Sequence, residues 1–332
     1  MPDRFAGASV PDPSGPLPRP VAPGSAAAIL EAPDEALTYE TGVEIKARSQ
    51  WQYARLRFMR HRLAMVSLVV LITIFLAGAF APVVAPYAYD EIDLENSSSP
   101  PTLDGFHIFG TDLIGRDYFS RVIFGIRTSE QVALIVALLA TVIGVSVGAL
   151  AGYYSGAVDN VLMRFTDLIL TLPGLAVLLT AAALLGRGNP YRVAVILALL
   201  FWTALARIIR GTFLSLREKE YVEAAKAAGA GDLRIMVRHM LPNAVGPIVV
   251  SATLIVGVAI LTEAVLGFLG FGVQPPTPAL GKLIADGESA GTGLWWLVTF
   301  PGLTILLIVL CVNFVGDGLR DALDPTQRRV RA

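Results

Sequence analysis

Glu223-Ala224-Ala225-Lys226-Ala227-Ala228-Gly229, followed twelve residues after the glycine by Leu241-Pro242-Asn243, lies in a polar insert between two apolar runs. Leu216–Ala228 is alanine-rich, with Glu220 and Glu223 balancing Lys219 and Lys226, and this composition predicts a helix. Gly229 and Gly231 are expected to end it, because glycine enters turn conformations with no Cβ penalty. Asp232 then stands as the expected N-cap of a second short helix, carried by Leu233, Arg234, Ile235 and Met236 and ending at Met240. Pro242 suits the first turn of the next apolar helix, where its missing N–H costs nothing. Helix, glycine turn, short helix and apolar span together make a lever that a partner can grip.

The rest of the chain belongs to a bilayer. Of its 332 residues 54% are hydrophobic and only 16% charged, against roughly a quarter charged in soluble domains. Mean hydropathy is +0.62. A net charge of −1 points to no particular partner, because the two signs are segregated along the chain, and no nucleic acid is expected. One cysteine, Cys311, excludes both a disulfide and a cysteine-ligated metal site within the chain. Residues 1–45 are dominated by Pro, Ala, Gly and Ser, and are expected to form a disordered tail. No apolar h-region follows a basic start, so a cleavable signal peptide is not expected.

A helix needs about 20 apolar residues to cross the hydrocarbon core. Six charge-free runs are candidates: Leu63–Tyr89, Gln131–Val158, Leu168–Gly186, Val193–Ala206, His239–Thr262 and Ser289–Gly316. The fourth is short, and spans only if Arg207 and Arg210 at its end extend toward the headgroups. Lys and Arg accumulate in cytoplasmic flanks. With both termini inside, and Arg4 and Arg19 far out in the tail set aside, eighteen of them fall on cytoplasmic flanks and six outside, which favours that orientation. The expected order is a tail over 1–45, a basic segment over 46–62, a first span over 63–86 and an external loop with an amphipathic end over 87–127. A five-helix core over 128–320 follows, containing a coupling loop at 213–243 and an external loop at 267–295, with a cytoplasmic tail over 321–332.

Glu223-Ala224-Ala225, Gly229 and Leu241-Pro242 resemble, in identity and spacing, the "EAA" signature of ABC-importer permeases. The general form has Ile where this chain has His239, and His239-Met240-Leu241-Pro242-Asn243 fits the peptide-importer variant. His107-Ile108-Phe109-Gly110-Thr111-Asp112, with Gly115-Arg116-Asp117 and Ser120-Arg121, is similar to the segment before the second span in peptide and nickel permeases. Leu269-Gly270-Phe271-Gly272-Val273-Gln274-Pro275-Pro276-Thr277-Pro278 resembles another of their segments, with Ala279-Leu280 in place of Ser-Trp. Asn313, Gly316-Asp317-Gly318-Leu319-Arg320-Asp321 and Leu323-Asp324-Pro325 agree with the C-terminal pattern.

The resemblance implies an all-α membrane protein with six transmembrane helices, the type I ABC-importer permease fold, in a multi-pass cell-membrane subunit. It further implies a C-type permease that pairs with a homologous B-type chain, one or two ABC ATPase chains and an extracytoplasmic solute-binding protein. The coupling surface carried over is Glu223, Ala224, Ala225, Gly229, Gly231, Asp232, Leu233, Arg234, Ile235, Met236, Leu241 and Pro242. Di- or oligopeptides are the expected cargo, with nickel chelates or another small solute as the alternative. ATP and Mg are expected in the partner subunits, with no cofactor in this chain. No Gly-x4-Gly-Lys-Ser/Thr phosphate loop occurs in the sequence, so catalysis is not expected of it.

Other residues read more plainly. Glu263, near the outer end of the fifth span, is expected to make a structural hydrogen bond. Asn313 and Asp317 are expected to fix helix packing, and His239 to make a structural hydrogen bond. Arg164 and Asp167, three apart, suit a local ion pair. Gly144, Gly148 and Gly152 suit close helix approach, and the pair Trp295-Trp296 suits an interfacial anchor. An ion-gradient transporter is the competing class. It calls for acidic groups at mid-membrane in two repeated halves, whereas the acids here sit at span ends.

Overall fold

The computed structural model describes residues 50–185 and 188–323, and the expected tail over 1–45 and Asp324-Pro325 lie outside them. Within this range the helices are α1 (Gln50–Arg60), α2 (Arg62–Ala79), α3 (Ala81–Val84), α4 (Tyr118–Tyr154), α5 (Gly156–Thr171) and α6 (Gly174–Leu185). They continue as α7 (Pro190–Arg217), α8 (Glu220–Ala227), α9 (Asp232–Arg234), α10 (Val245–Phe268), α11 (Leu280–Ser289) and α12 (Trp296–Leu323). Five of these, α2, α4, α7, α10 and α12, are long and apolar enough to cross a membrane, and the bent pair α5–α6 makes up to six. The chain is an all-α membrane protein.

Every span departs from its charge-free run: the first ends at Ala79, the fifth is Val245–Phe268 and the sixth Trp296–Leu323, while the second, third and fourth differ for identifiable local reasons. The second is part of a 37-residue helix, about 56 Å long at 1.5 Å per residue. The stretch Tyr118–Arg127 is its first turns, buried or half-buried all round and N-capped by Asp117 Oδ2, which accepts from the Ser120 N–H at 2.7 Å. The third is not a straight span: α5 and α6 meet at an 86° bend. Pro173 lacks an N–H and pushes Leu172 into an extended conformation (φ −72°, ψ 139°), which ends α5 there. The fourth is 28 residues, extended at its start to Pro190 under an Asn189 cap and at its end to Arg217. Arg207 and Arg210 therefore lie inside α7, not at its end.

The core forms where α4, α7, α10, α11 and α12 meet, around Val132, Val136, Leu197, Ile260, Leu283 and Ile308. Glycine allows the closest crossing. A Cβ on Gly144, Gly148 or Gly152 of α4 would stand 2.8, 2.4 or 2.7 Å from the carbonyl oxygens of Trp202, Ala206 and Arg210 on α7. These residues are thus a packing seam. Another face of α7 holds α5: Arg210 Nη2 donates to Asp159 Oδ2 at 2.6 Å, and Arg207 Nη2 to Asp167 Oδ1 at 2.5 Å. Asp167 pairs across helices with Arg207; the expected local pair with Arg164 does not form. Arg164 is exposed.

Glu263 is 0% exposed and accepts from Ser129 Oγ at 2.8 Å, a structural hydrogen bond between α10 and α4. Asn313 and Asp317 behave otherwise than expected. Both are exposed, and Asn313 Nδ2 donates only to the Val309 carbonyl of its own helix at 2.9 Å. The tryptophan pair divides. Trp295 is 55% exposed and suits the membrane surface, while Trp296 is buried and its Nε1–H donates to the Thr111 carbonyl at 3.1 Å.

That last bond closes a polar knot. Thr111 and Asp117 form an isolated antiparallel bridge. His107 Nδ1 lies 2.9 Å from Asp117 Oδ1, and Asp112 Oδ2 takes Arg116 Nε at 2.7 Å and Arg121 Nη1 at 2.5 Å. Tyr118 Oη donates to the Leu297 carbonyl at 2.6 Å, tying the start of α4 to α12. Gly115 (φ +80°) is obligatory here, since its Cβ would stand 1.6 Å from the Asp93 carbonyl oxygen.

Candidate coupling surface

The polar insert folds as a short arm beneath α4 and α7. Glu220 and Glu223 occupy the first turn of α8, where carboxylates suit the helix dipole. The predicted helix Leu216–Ala228 is interrupted: Lys219 is extended (φ −84°, ψ 139°), so α7 ends at Arg217 and α8 starts anew at Glu220. The break turns Val222 inward, where it is buried with Phe213, Leu205 and Ile209 of α7.

Gly229 (φ +79°) ends α8. Its N–H donates to the Lys226 carbonyl at 2.9 Å and the Ala230 N–H to the Ala225 carbonyl at 3.0 Å, the paired bonds of a Schellman cap. Gly231 has ordinary dihedrals (φ −69°, ψ 153°) and caps α9 with no side chain. Asp232 is therefore not the N-cap. It is the first residue of α9, and its Oδ1 accepts from the Tyr153 hydroxyl at 2.7 Å.

After α9 the chain widens into a π turn, Ile235–Met240, and a 3-10 turn, Leu241–Asn243, before α10 begins at Val245. Pro242 thus sits in the turn ahead of α10, not in its first turn. The wide turn brings Ile235, Met236 and Met240 to the same side, buried against Tyr153, Phe213 and Ala244. At His239 the hydrogen bond found is Asn243 Nδ2 to its carbonyl, at 2.7 Å.

The predicted residues divide by what they touch. Ile235 and Met236 are buried, and Ala225 and Leu241 pack partly buried on the same cluster. Glu223, Ala224, Gly229, Gly231, Asp232, Leu233, Arg234 and Pro242 are exposed. Leu233 is 71% exposed, with Val237 and Tyr221 also open, so apolar side chains stand among Glu223, Arg234 and Arg238. Burying such a cluster requires a second protein surface.

Two residues that hold the arm were not legible in the sequence. Tyr153, at the end of α4, receives the arm through Asp232 and lies 5.7 Å below Lys226 Nζ. Arg217 Nη1 donates to the Tyr153 carbonyl at 3.1 Å and to Ser155 Oγ at 2.7 Å, locking the end of α7 to the end of α4. The sole signal was a pair of tyrosines, Tyr153 and Tyr154, closing an apolar run. Among the described residues no group of three His, Cys, Asp or Glu is placed to hold a metal ion.

Comparison with known proteins gives the family. Residues 144–329 match the family described as binding-protein-dependent transport system inner membrane component, and residues 49–101 match the N-terminal TM domain of oligopeptide transport permease C. The oligopeptide transport system permease protein OppC of Escherichia coli (strain K12) is 41% identical over 286 residues, covering 86% of this chain and 94% of the relative. OppC of Haemophilus influenzae is 38% identical over 86% of this chain and 92% of its own length. The dipeptide transport system permease protein DppC of Alkalihalophilus pseudofirmus is 38% identical over 85% and 92%. The chain therefore belongs to the binding-protein-dependent transport family, as an inner-membrane, multi-pass permease subunit of an ABC importer.

Proposed function

We propose that this chain, paired with a homologous second permease, forms the membrane path for di- or oligopeptides, and that residues 213–243 receive the motion of an ABC ATPase. In this reading one or two ATPase chains bind ATP and Mg, an extracytoplasmic solute-binding protein delivers the cargo, and both termini face the cytoplasm. The names of the relatives, all peptide permeases, support peptides over nickel chelates or another small solute. The observation that carries the coupling role is the division within the arm: its inner side is keyed into α4 and α7 through Tyr153, Val222 and Met236, while Leu233 and Val237 stand open.

Such a partition suits a lever. Force applied at Leu233 reaches the ends of α4 and α7 through a buried contact and a short hydrogen bond, and enters α10 through the π turn. The Gly229 cap fixes the angle between α8 and the rest of the arm. No atom stands within 4 Å of a Cβ built there, so a larger residue meets only backbone strain at φ +79°, about 1–2 kcal/mol. A G229V variant is expected in the membrane at normal abundance with peptide uptake abolished. Uptake at the wild-type rate in that variant would falsify the lever assignment.

A further inference from the structure

From Gln50 to Tyr89 the chain has no acidic residue, yet Arg55, Arg57, Arg60 and Arg62 fall within eight positions of it. They sit on α1 and the first residue of α2, on either side of a break at His61 (φ −82°, ψ 91°). His61 Nδ1 accepts from the Ala64 N–H at 3.1 Å, so α2 starts as an independently capped helix. The break therefore places α1 at the boundary of an apolar span.

One side of α1 is pinned. Phe58 Cε2 lies 3.2 Å from where a Cβ of Gly318 would stand, and Ala64 Cβ lies 2.4 Å from the same point, so α1 and α2 are seated on the end of α12. The other side is open. Arg55, Leu56, Met59, Arg60, Arg62 and Leu63 are all exposed, so guanidinium groups and apolar side chains alternate on one surface. Arg55, Arg60 and Arg62 enter none of the ion pairs among described residues, whereas Arg207 and Arg210 are each paired with an aspartate.

We propose that α1 and the start of α2 form a docking surface for anionic phospholipid, with Arg55, Arg60 and Arg62 holding headgroup phosphates and Leu56 and Met59 entering the acyl boundary. Three observations select this occupant. The patch adjoins a span, so headgroups are at hand; its charge is uniformly positive over a stretch with no acid; and its open apolar residues lie beside the arginines, as in helices lying in the membrane interface. The guanidinium fork matches a phosphate diester with two parallel hydrogen bonds. The inference rests on the membrane placement alone and is independent of the coupling role of residues 213–243.

The test is native mass spectrometry of the full-length chain in neutral detergent with equal amounts of phosphatidylglycerol and phosphatidylcholine. The wild type is expected to retain phosphatidylglycerol preferentially. Each arginine near an anionic surface contributes on the order of fivefold in affinity, so R55Q, R60Q and R62Q are each expected to cut the preference by about that factor. The triple variant is expected to abolish it. R207Q removes an arginine of the same charge from an existing ion pair and is expected to leave the preference intact. Raising the salt concentration on unaltered protein is expected to weaken the preference, a readout that requires no variant to fold. Equal retention of the two lipids by the wild type overturns the proposal. So does a preference that survives in the triple variant or that R207Q lowers as much.

Discussion

The polar knot around Asp112 and the arm over 213–243 are both irregular backbone between spans, and they are built on opposite principles. In the knot, polar groups are buried and locked: Asp112, Asp117, Arg121 and Thr111 are all at most 6% exposed. In the arm, apolar groups are exposed while the polar contacts that hold it are few. Their glycines make the same distinction. Gly115 and Gly110 have positive φ, with backbone oxygens 1.6 and 2.7 Å from a built Cβ, whereas Gly229 has positive φ with nothing within 4 Å. A glycine hemmed in by backbone marks a place that must not move. A glycine in open space marks a direction change whose surroundings are left to a partner.

The sharpest way to break this comparison is G115A. A methyl group 1.6 Å from the Asp93 carbonyl oxygen requires the loop from Asp93 to Asp117 to open. The cost lies at the exceptional end of single substitutions, above about 4 kcal/mol. Protein yield in the membrane and the thermal midpoint in detergent are expected to collapse, while G229A retains both. Second comes D112N, which leaves Arg121 buried without a carboxylate. Breaking one partner of such a pair costs about 3–5 kcal/mol. A midpoint for D112N within a few degrees of wild type would show that the knot is not held by this charge.

How much of this was readable from the residues alone depends on the kind of signal. Apolar runs announced the spans, because a bilayer requires length and absence of charge, and Gly229 announced its turn because glycine enters positive φ with no Cβ penalty. Run boundaries were poor guides to helix boundaries. Tyr118–Arg127 is charged and amphipathic yet continues α4, since its arginine pairs inward with Asp112 and needs no water. Pro173 was visible, but nothing in the sequence says that α5 and α6 leave it at 86°. Tyr153 and Asp232 are 79 positions apart, and no local pattern links a hydroxyl to a carboxylate at that distance. The Arg207–Asp167 pair was missed because an i, i+3 partner, Arg164, offered a simpler account.

The arm calls for smaller numbers. Y153F removes one hydrogen bond to an exposed carboxylate, and about 1 kcal/mol of stability is expected to go with it. In the proposed mechanism its effect on uptake is larger than its effect on stability, because the same bond joins the arm to α4. D232N retains an acceptor oxygen for the Tyr153 hydroxyl, so it is expected to keep more uptake than Y153F. Equal losses in the two variants would detach the Tyr153–Asp232 bond from coupling.

The two ion pairs that join α5 to α7 supply the finest distinction. Arg210 reaches Asp159 through both Nε and Nη2, with side chains 36% and 15% exposed, whereas Arg207 meets Asp167 through one nitrogen with 52% and 43% exposed. Exposed single-contact pairs contribute roughly 0–1 kcal/mol, and a bidentate, half-covered pair holds its geometry better. R207Q is therefore expected within about 0.5 kcal/mol of wild type, and R210Q clearly below it, as read from denaturation in detergent. Gly152 brings the α4 backbone against backbone atoms of Arg210, which R210Q keeps, so any effect on the helix seam comes only through the lost anchoring of the side chain. The double variant D159N/R210Q separates these causes: recovery toward wild type relative to R210Q assigns the loss to the unpaired aspartate, and no recovery assigns it to the seam.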